Sequence, residues 1–142
     1  MRLNDAYLRT ADCYFMLSEF RMAEKNYAKA IRYNLFDADY ALYNQSVCLG
    51  LIWKFSAKEK ILKQFLEHHQ TSTYFDDALL DLAVYYKNNN QKEKALDSYN
   101  QLLDFTSDEQ LKAKIHLSKG MIYFNAGDIE KAIASFMIVI ND

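Results

Sequence analysis

Apolar positions recur along this chain in one skeleton, four times over. One residue is followed nine positions later by an alanine, and then by bulky apolar residues at two further steps of four. The copies are Tyr14, Ala23, Tyr27 and Ile31; Cys48, Ala57, Ile61 and Phe65; Tyr86, Ala95, Tyr99 and Leu103; and Tyr123, Ala132, Phe136 and Ile140. Steps of four keep side chains on one face of a helix, and the alanines stand 34, 38 and 37 residues apart. A period of that length marks stacked helical hairpins, each hiding an apolar face against its neighbour.

Polar breaks divide each period into two helices. Within repeats they fall at Ser18 to Phe20, Lys54 to Ser56, Lys87 to Asn90 and Ala126 to Asp128, and between repeats at Asn34 to Asp37, Gln70 to Thr73 and Thr106 to Ser107. The pattern predicts eight helices of about 13 to 17 residues, an ordinary length, with short connections that make neighbours antiparallel. One domain over 1–142 is expected, with repeats at about 5–37, 38–73, 74–107 and 108–142. Ser56 with Glu59, Asn90 with Glu93, and Ser107 with Gln110 have the spacing of capping boxes and predict helix starts. The alanines are read as methyl spacers where the second helix of a hairpin lies against the first.

Composition sharpens this picture by exclusion. No proline and three glycines in 142 residues leave little room for a linker or a sheet-rich fold. The formal charge is −2, with both signs scattered, so no face is expected to draw nucleic acid or acidic lipid. No stretch approaches the roughly 18 apolar residues of a membrane span. Cys48 occupies an apolar skeleton slot and reads as a buried, reduced thiol; two cysteines do not reveal the compartment. Envelope and cytoplasm stay open.

Catalytic and metal chemistry find little support. His68 and His69 are adjacent, so on a helix they diverge, and His116 stands without local ligand-spaced partners. No phosphate loop, nucleophile elbow or metalloprotease helix occurs. Asp76, Asp77 and Asp81 read as acidic residues at the positive end of a helix. No catalytic residue, metal or cofactor is therefore expected, and the chain reads as non-enzymatic.

The repeats resemble those of the tetratricopeptide family over about residues 5 to 141. The family's small residue in the first helix matches Ala11, Ala83 and Gly120, its aromatic matches Tyr14, Tyr86 and Tyr123, and its turn glycine matches Gly127. The second repeat departs most, with Gln45 at the small slot and Ile61 at the aromatic one, and Leu35, His69 and Ser107 stand where the family has proline. The longer repeats look similar to those of bacterial cell-envelope proteins. The resemblance implies an all-α, right-handed superhelix (solenoid) whose first helices line a concave face.

On that face the resemblance places Leu8, Leu42, Leu80 and Leu117, and one turn on, Asp12, Ser46, Val84 and Met121. Two readings stand: the leucines pack between hairpins, or they form an apolar groove for an extended or helical peptide. The resemblance also argues against a carboxylate clamp for acidic tails, since Leu8, Asp12, Leu42 and Ser46 replace its basic residues. The expected function is a non-catalytic scaffold for a protein or peptide partner. The alternatives are an assembly element of an envelope complex and a targeting module for an enzyme domain elsewhere. The final helix carries apolar residues to its end without a polar cap, so the chain is expected to continue or to self-associate there.

Overall fold

A computed structural model describes residues 3–33 and 38–141. Eight α-helices occur among them: α1 (Leu3–Met16), α2 (Phe20–Tyr33), α3 (Asp39–Leu51), α4 (Phe55–His68), α5 (Phe75–Asn88), α6 (Lys92–Phe105), α7 (Glu109–Asn125) and α8 (Ile129–Asn141). The break expected at Asn34 to Asp37 lies outside the described residues. Two compact units divide the chain within α5, Met1–Ala78 and Leu79–Asp142. Unit 1 buries Ala11, Tyr27, Cys48, Leu62 and Phe65; unit 2 buries Leu79, Tyr99, Leu102 and Ile115.

Each hairpin turns in the same way. Ser18, Trp53, Asn90 and Gly127 have positive φ of 60°, 65°, 58° and 82°, and the next residue's N–H reaches back five positions to a helical carbonyl. Those bonds are Glu19 to Tyr14, Lys54 to Leu49, Gln91 to Tyr86 and Asp128 to Tyr123, at 2.8 to 2.9 Å. This six-to-one bond with a left-handed residue inside it is a Schellman motif, which satisfies a carbonyl the helix end leaves open.

The capping boxes are corrected by this geometry. Asn90 supplies the left-handed turn residue, which asparagine tolerates, and α6 is capped by Gln91 without a side-chain bond. Ser56 lies inside α4, whose cap is Lys54, also without a side-chain bond. At the third site the cap is Asp108, one residue after Ser107, and its carboxylate accepts from the N–H groups of Gln110 and Leu111.

Counting from the turns also corrects the second repeat. The turn residues are 35, 37 and 37 positions apart. In repeats one, three and four the skeleton alanine makes the first helical bond of the second helix: Ala23 to Glu19, Ala95 to Gln91 and Ala132 to Asp128. In repeat two that bond runs from Lys58 to Lys54, so Lys58 holds the alanine's place. Leu62 then corresponds to Tyr27, and it is fully buried while Ala57 and Ile61 are only half-buried. Across the hairpin Gly50 makes room: a Cβ there would stand 3.0 Å from Lys58 Nζ. In the first helix the same shift makes Leu49, not Cys48, the counterpart of Tyr14, and Ser46, not Gln45, the counterpart of Ala11.

The small slots are tight where alanine or glycine does occupy them. Ala23 and Ala95 are fully buried and Ala132 is 2% exposed. At Gly120 a Cβ would lie 2.4 Å from the Phe136 ring, so the aromatic four residues after Ala132 rests on the glycine. Ala95→Leu is expected to overpack its hairpin and cost about 1–3 kcal/mol, read as a lowered melting temperature with unchanged helical content at room temperature.

Candidate functional site

The expected inner-face residues separate by burial. Leu8 and Asp12 on α1, and Leu80 and Val84 on α5, are half-buried. Leu42 and Ser46 on α3 are 3% and 0% exposed, which takes them off any contact surface. The reason is the register shift. Ten and six residues before the turn residue lie Leu8 and Asp12, Leu80 and Val84, and Leu117 and Met121; in repeat two the same count gives Tyr43 and Val47. Both are half-buried, as their counterparts on α1 and α5 are. Sequence reasoning misses them because it takes Gln45, one residue before Ser46, as the small slot of the second repeat. The signal that would have found them is the turn itself, hidden where tryptophan stands in a glycine slot.

Asp12 is engaged within unit 1. Its Oδ1 accepts from the Tyr27 hydroxyl at 2.6 Å and the Tyr40 hydroxyl at 2.9 Å, while Oδ2 pairs with Arg9 at 3.1 Å. Tyr27 is on α2 and Tyr40 on α3, so one carboxylate ties three helices together. Burial and the adjacent carboxylate push both phenols above their ordinary range. The Tyr40 ring meets Tyr74 edge-on, and Tyr74 stacks on Tyr43 at 5.4 Å and 16°. These aromatic contacts continue the polar node into the packing between α3 and the segment before α5. Nearby, Cys48 is a free, buried thiol pushed up to about 12 by burial, with Glu24 adding to the effect.

Of the expected contact residues, those on α7 are the most exposed. Leu117, Met121 and Phe124 are 50%, 46% and 56% exposed, and their spacing places them on one face. The helix begins at the Asp108 cap and ends in the Gly127 turn, so its ends are fixed by local bonds. Two surface clefts accompany the helices. One in unit 2, lined by Lys87, Asn90, Lys92, Ile122, Asn125 and Ala126, holds about 190 Å³; one in unit 1, lined by Arg21, Glu24, Lys25, Ile52 and Lys54, holds about 150 Å³. Both are smaller than the clefts that enclose drug-sized ligands. Among the described residues no group of three His, Cys, Asp or Glu is placed to hold a metal ion, and no helix is long and apolar enough to cross a membrane.

Family models described as tetratricopeptide repeats match residues 77–104 and 113–140. No curated protein matches the chain. Solved structures similar in fold include MamA, 16% identical, with a TM-score of 0.81 over 98% of this chain and 77% of that one. BtubC (BKLC) from P. vanneervenii is 18% identical, with a TM-score of 0.77 over 98% of this chain and 62% of its own. YrrB, described as a TPR protein with an unusual peptide-binding site, is 16% identical, with a TM-score of 0.73 over 95% of this chain and 66% of its own. At these identities the likeness shows the fold, an all-α helical-repeat solenoid. The family models thus mark residues 77–104 and 113–140 as tetratricopeptide repeats, generally a non-catalytic protein-interaction fold, and the four Schellman-closed hairpins and the solved structures agree with a helical-repeat solenoid.

Proposed function

We propose that the protein is a non-catalytic scaffold that captures a peptide or protein partner on its first helices, with α7 supplying the anchors in unit 2. The observation that carries this reading is the exposed apolar face of Leu117, Met121 and Phe124. A soluble protein gains nothing by leaving three large apolar side chains in line on a capped helix, whereas a partner's apolar side chains cover them favourably. Leu80 and Val84 on α5 are half-buried and offer shallower contacts in the same unit; Leu8, Tyr43 and Val47 do so in unit 1. YrrB's described peptide-binding site supports a peptide as occupant.

Peptides selected against the wild-type chain from a random display library test the proposal. Leu117→Ser with Met121→Ser should weaken their binding about tenfold or more, with the circular dichroism spectrum unchanged. Equal affinity for the double variant would remove α7 from the site. A second reading rests on α8, where Ile133, Met137 and Ile140 are 55%, 43% and 72% exposed at helical spacing. That stripe suits an assembly element that joins copies end to end. Sedimentation that shifts to larger species with concentration, and is reversed by Ile133→Ser, separates this reading from peptide capture.

A further inference from the structure

The turn of the second hairpin contradicts its own local chemistry. Trp53 is the only tryptophan in the chain. It holds the left-handed position that Gly127 fills in the fourth repeat, at φ 65°, a backbone region costly for a bulky residue. Packing does not compensate for that cost, because Trp53 is 80% exposed; its ring meets Phe55, itself 43% exposed, edge-on at 5.8 Å. Leu51, 47% exposed, flanks it on the other side. The first hairpin's turn is similar, with Met16 and Leu17 at 85% and 71% exposed. The corresponding turns of unit 2 carry Asn88, Asn89 and Asn90, and Asn125, Ala126 and Gly127. Apolar tips are therefore not something the hairpin turn requires.

The second apolar tip of unit 1 lies beside the start of α2, the helix that follows the first tip. The cleft lined by Arg21, Glu24 and Lys25 of α2 together with Ile52 and Lys54 places the second turn beside the start of α2. The same edge gathers cations. Arg21, Lys25 and Lys54 are exposed, and Lys58 folds its amine over Gly50. Against these four stand the carboxylates of Glu19 and Glu24, and Glu24 accepts from Gln45 Nε2 at 3.1 Å. Glu59 pairs with Lys63 at 2.9 Å. A chain of net charge −2 thus presents a net positive rim around protruding Trp, Phe, Leu and Met side chains. Such a face has no local signature in the chain, since these residues come from two turns and the four helices that flank them.

We infer that this turn edge of unit 1 docks on the surface of an anionic lipid bilayer, with Trp53 entering the headgroup region. Tryptophan favours that boundary because its ring is apolar and its indole N–H is polar. Lysine and arginine beside it meet the negative surface potential of acidic lipids. Several shallow apolar side chains plus a basic rim make a reversible peripheral contact, and protruding tips suit a deformable lipid surface better than a rigid protein face. This inference is independent of the peptide-binding reading, which rests on α7.

The single tryptophan is its own reporter. With the full chain, phosphatidylcholine–phosphatidylserine vesicles should shift its emission to the blue and co-sediment the protein, and lipids brominated near the headgroup should quench it. Pure phosphatidylcholine should do neither, and added salt should release the protein. Trp53→Gly suits the left-handed turn, so its melting temperature should hold or rise while vesicle binding weakens about tenfold or more; Lys54→Glu should weaken binding without moving the melting temperature. An emission unchanged by acidic vesicles, or unaltered sedimentation of Trp53→Gly with them, overturns the inference. So does a blue shift that appears with protein concentration alone, because a second copy would then cover the edge.

Discussion

Leu42→Ser is expected to unfold the protein far more than it disarms a binding surface. The side chain is 3% exposed, so truncation removes buried methyl groups and leaves a cavity, costing about 2–5 kcal/mol. The hydroxyl adds a further penalty of about 1–3 kcal/mol if it finds no partner there. Set against a domain stability of about 5–15 kcal/mol, that sum brings the variant close to the unfolding threshold. Leu117→Ser, at a site half exposed, should change stability by only about 0.5 kcal/mol. Urea titrations of the two variants check the contrast. A Leu42→Ser midpoint matching that of the wild type would restore Leu42 to the surface and undo the register assigned to the second repeat.

Asp12→Ala is expected to cost about 2–4 kcal/mol, because a single carboxylate oxygen receives two tyrosine hydroxyls and a hydrogen bond to a charged acceptor is worth about 1.5–3 kcal/mol. The two bonds should not add fully. Tyr40 is half-buried and can turn to water, whereas Tyr27 is 1% exposed and cannot. The Arg9 pair contributes little, since the arginine is 76% exposed. A double-mutant cycle with Tyr27→Phe should show coupling, and Asp12→Asn should retain part of the stability because its carbonyl still accepts. There is a pH signature as well. The folded state keeps the Tyr27 proton that the unfolded chain loses above about pH 10, so stability is full below that pH and falls as pH rises past it. Burial is the larger cause of that shift and Asp12 the next; the alkaline loss should therefore be reduced in Asp12→Ala without disappearing. Additive effects of Asp12→Ala and Tyr27→Phe would show that the node does not act as a unit.

Asp12 illustrates why the candidate site was only partly legible. Its place on the first helix follows from counting, and the structure keeps it there. That its carboxylate is taken up by Tyr27, 15 residues on, and Tyr40, 28 residues on, has no local signature. Leu42 and Ser46 were misplaced for a different reason. The alanine pattern is degenerate over one residue wherever a helix carries apolar residues at neighbouring positions, as Ile61 and Leu62 do. Burial resolves the choice, with Leu62 inside and Ile61 half out. The capping boxes erred similarly: a Ser, Asn or Asp near a helix start can serve as cap or as turn residue, and spacing alone does not separate the roles.

The sequence by itself determined the helices, their number and the four-fold repetition. Those depend on the 3.6-residue period and on short-range breaks, and the residues that set them are neighbours in the chain. Only the tertiary structure decided which residue of the second repeat fills the small slot, which first-helix side chains stay exposed, and that Trp53 and its basic neighbours share an edge. Each of these turns on contacts between segments distant in sequence, where a shift of one residue rotates a side chain by about 100° around its helix and carries it from core to surface.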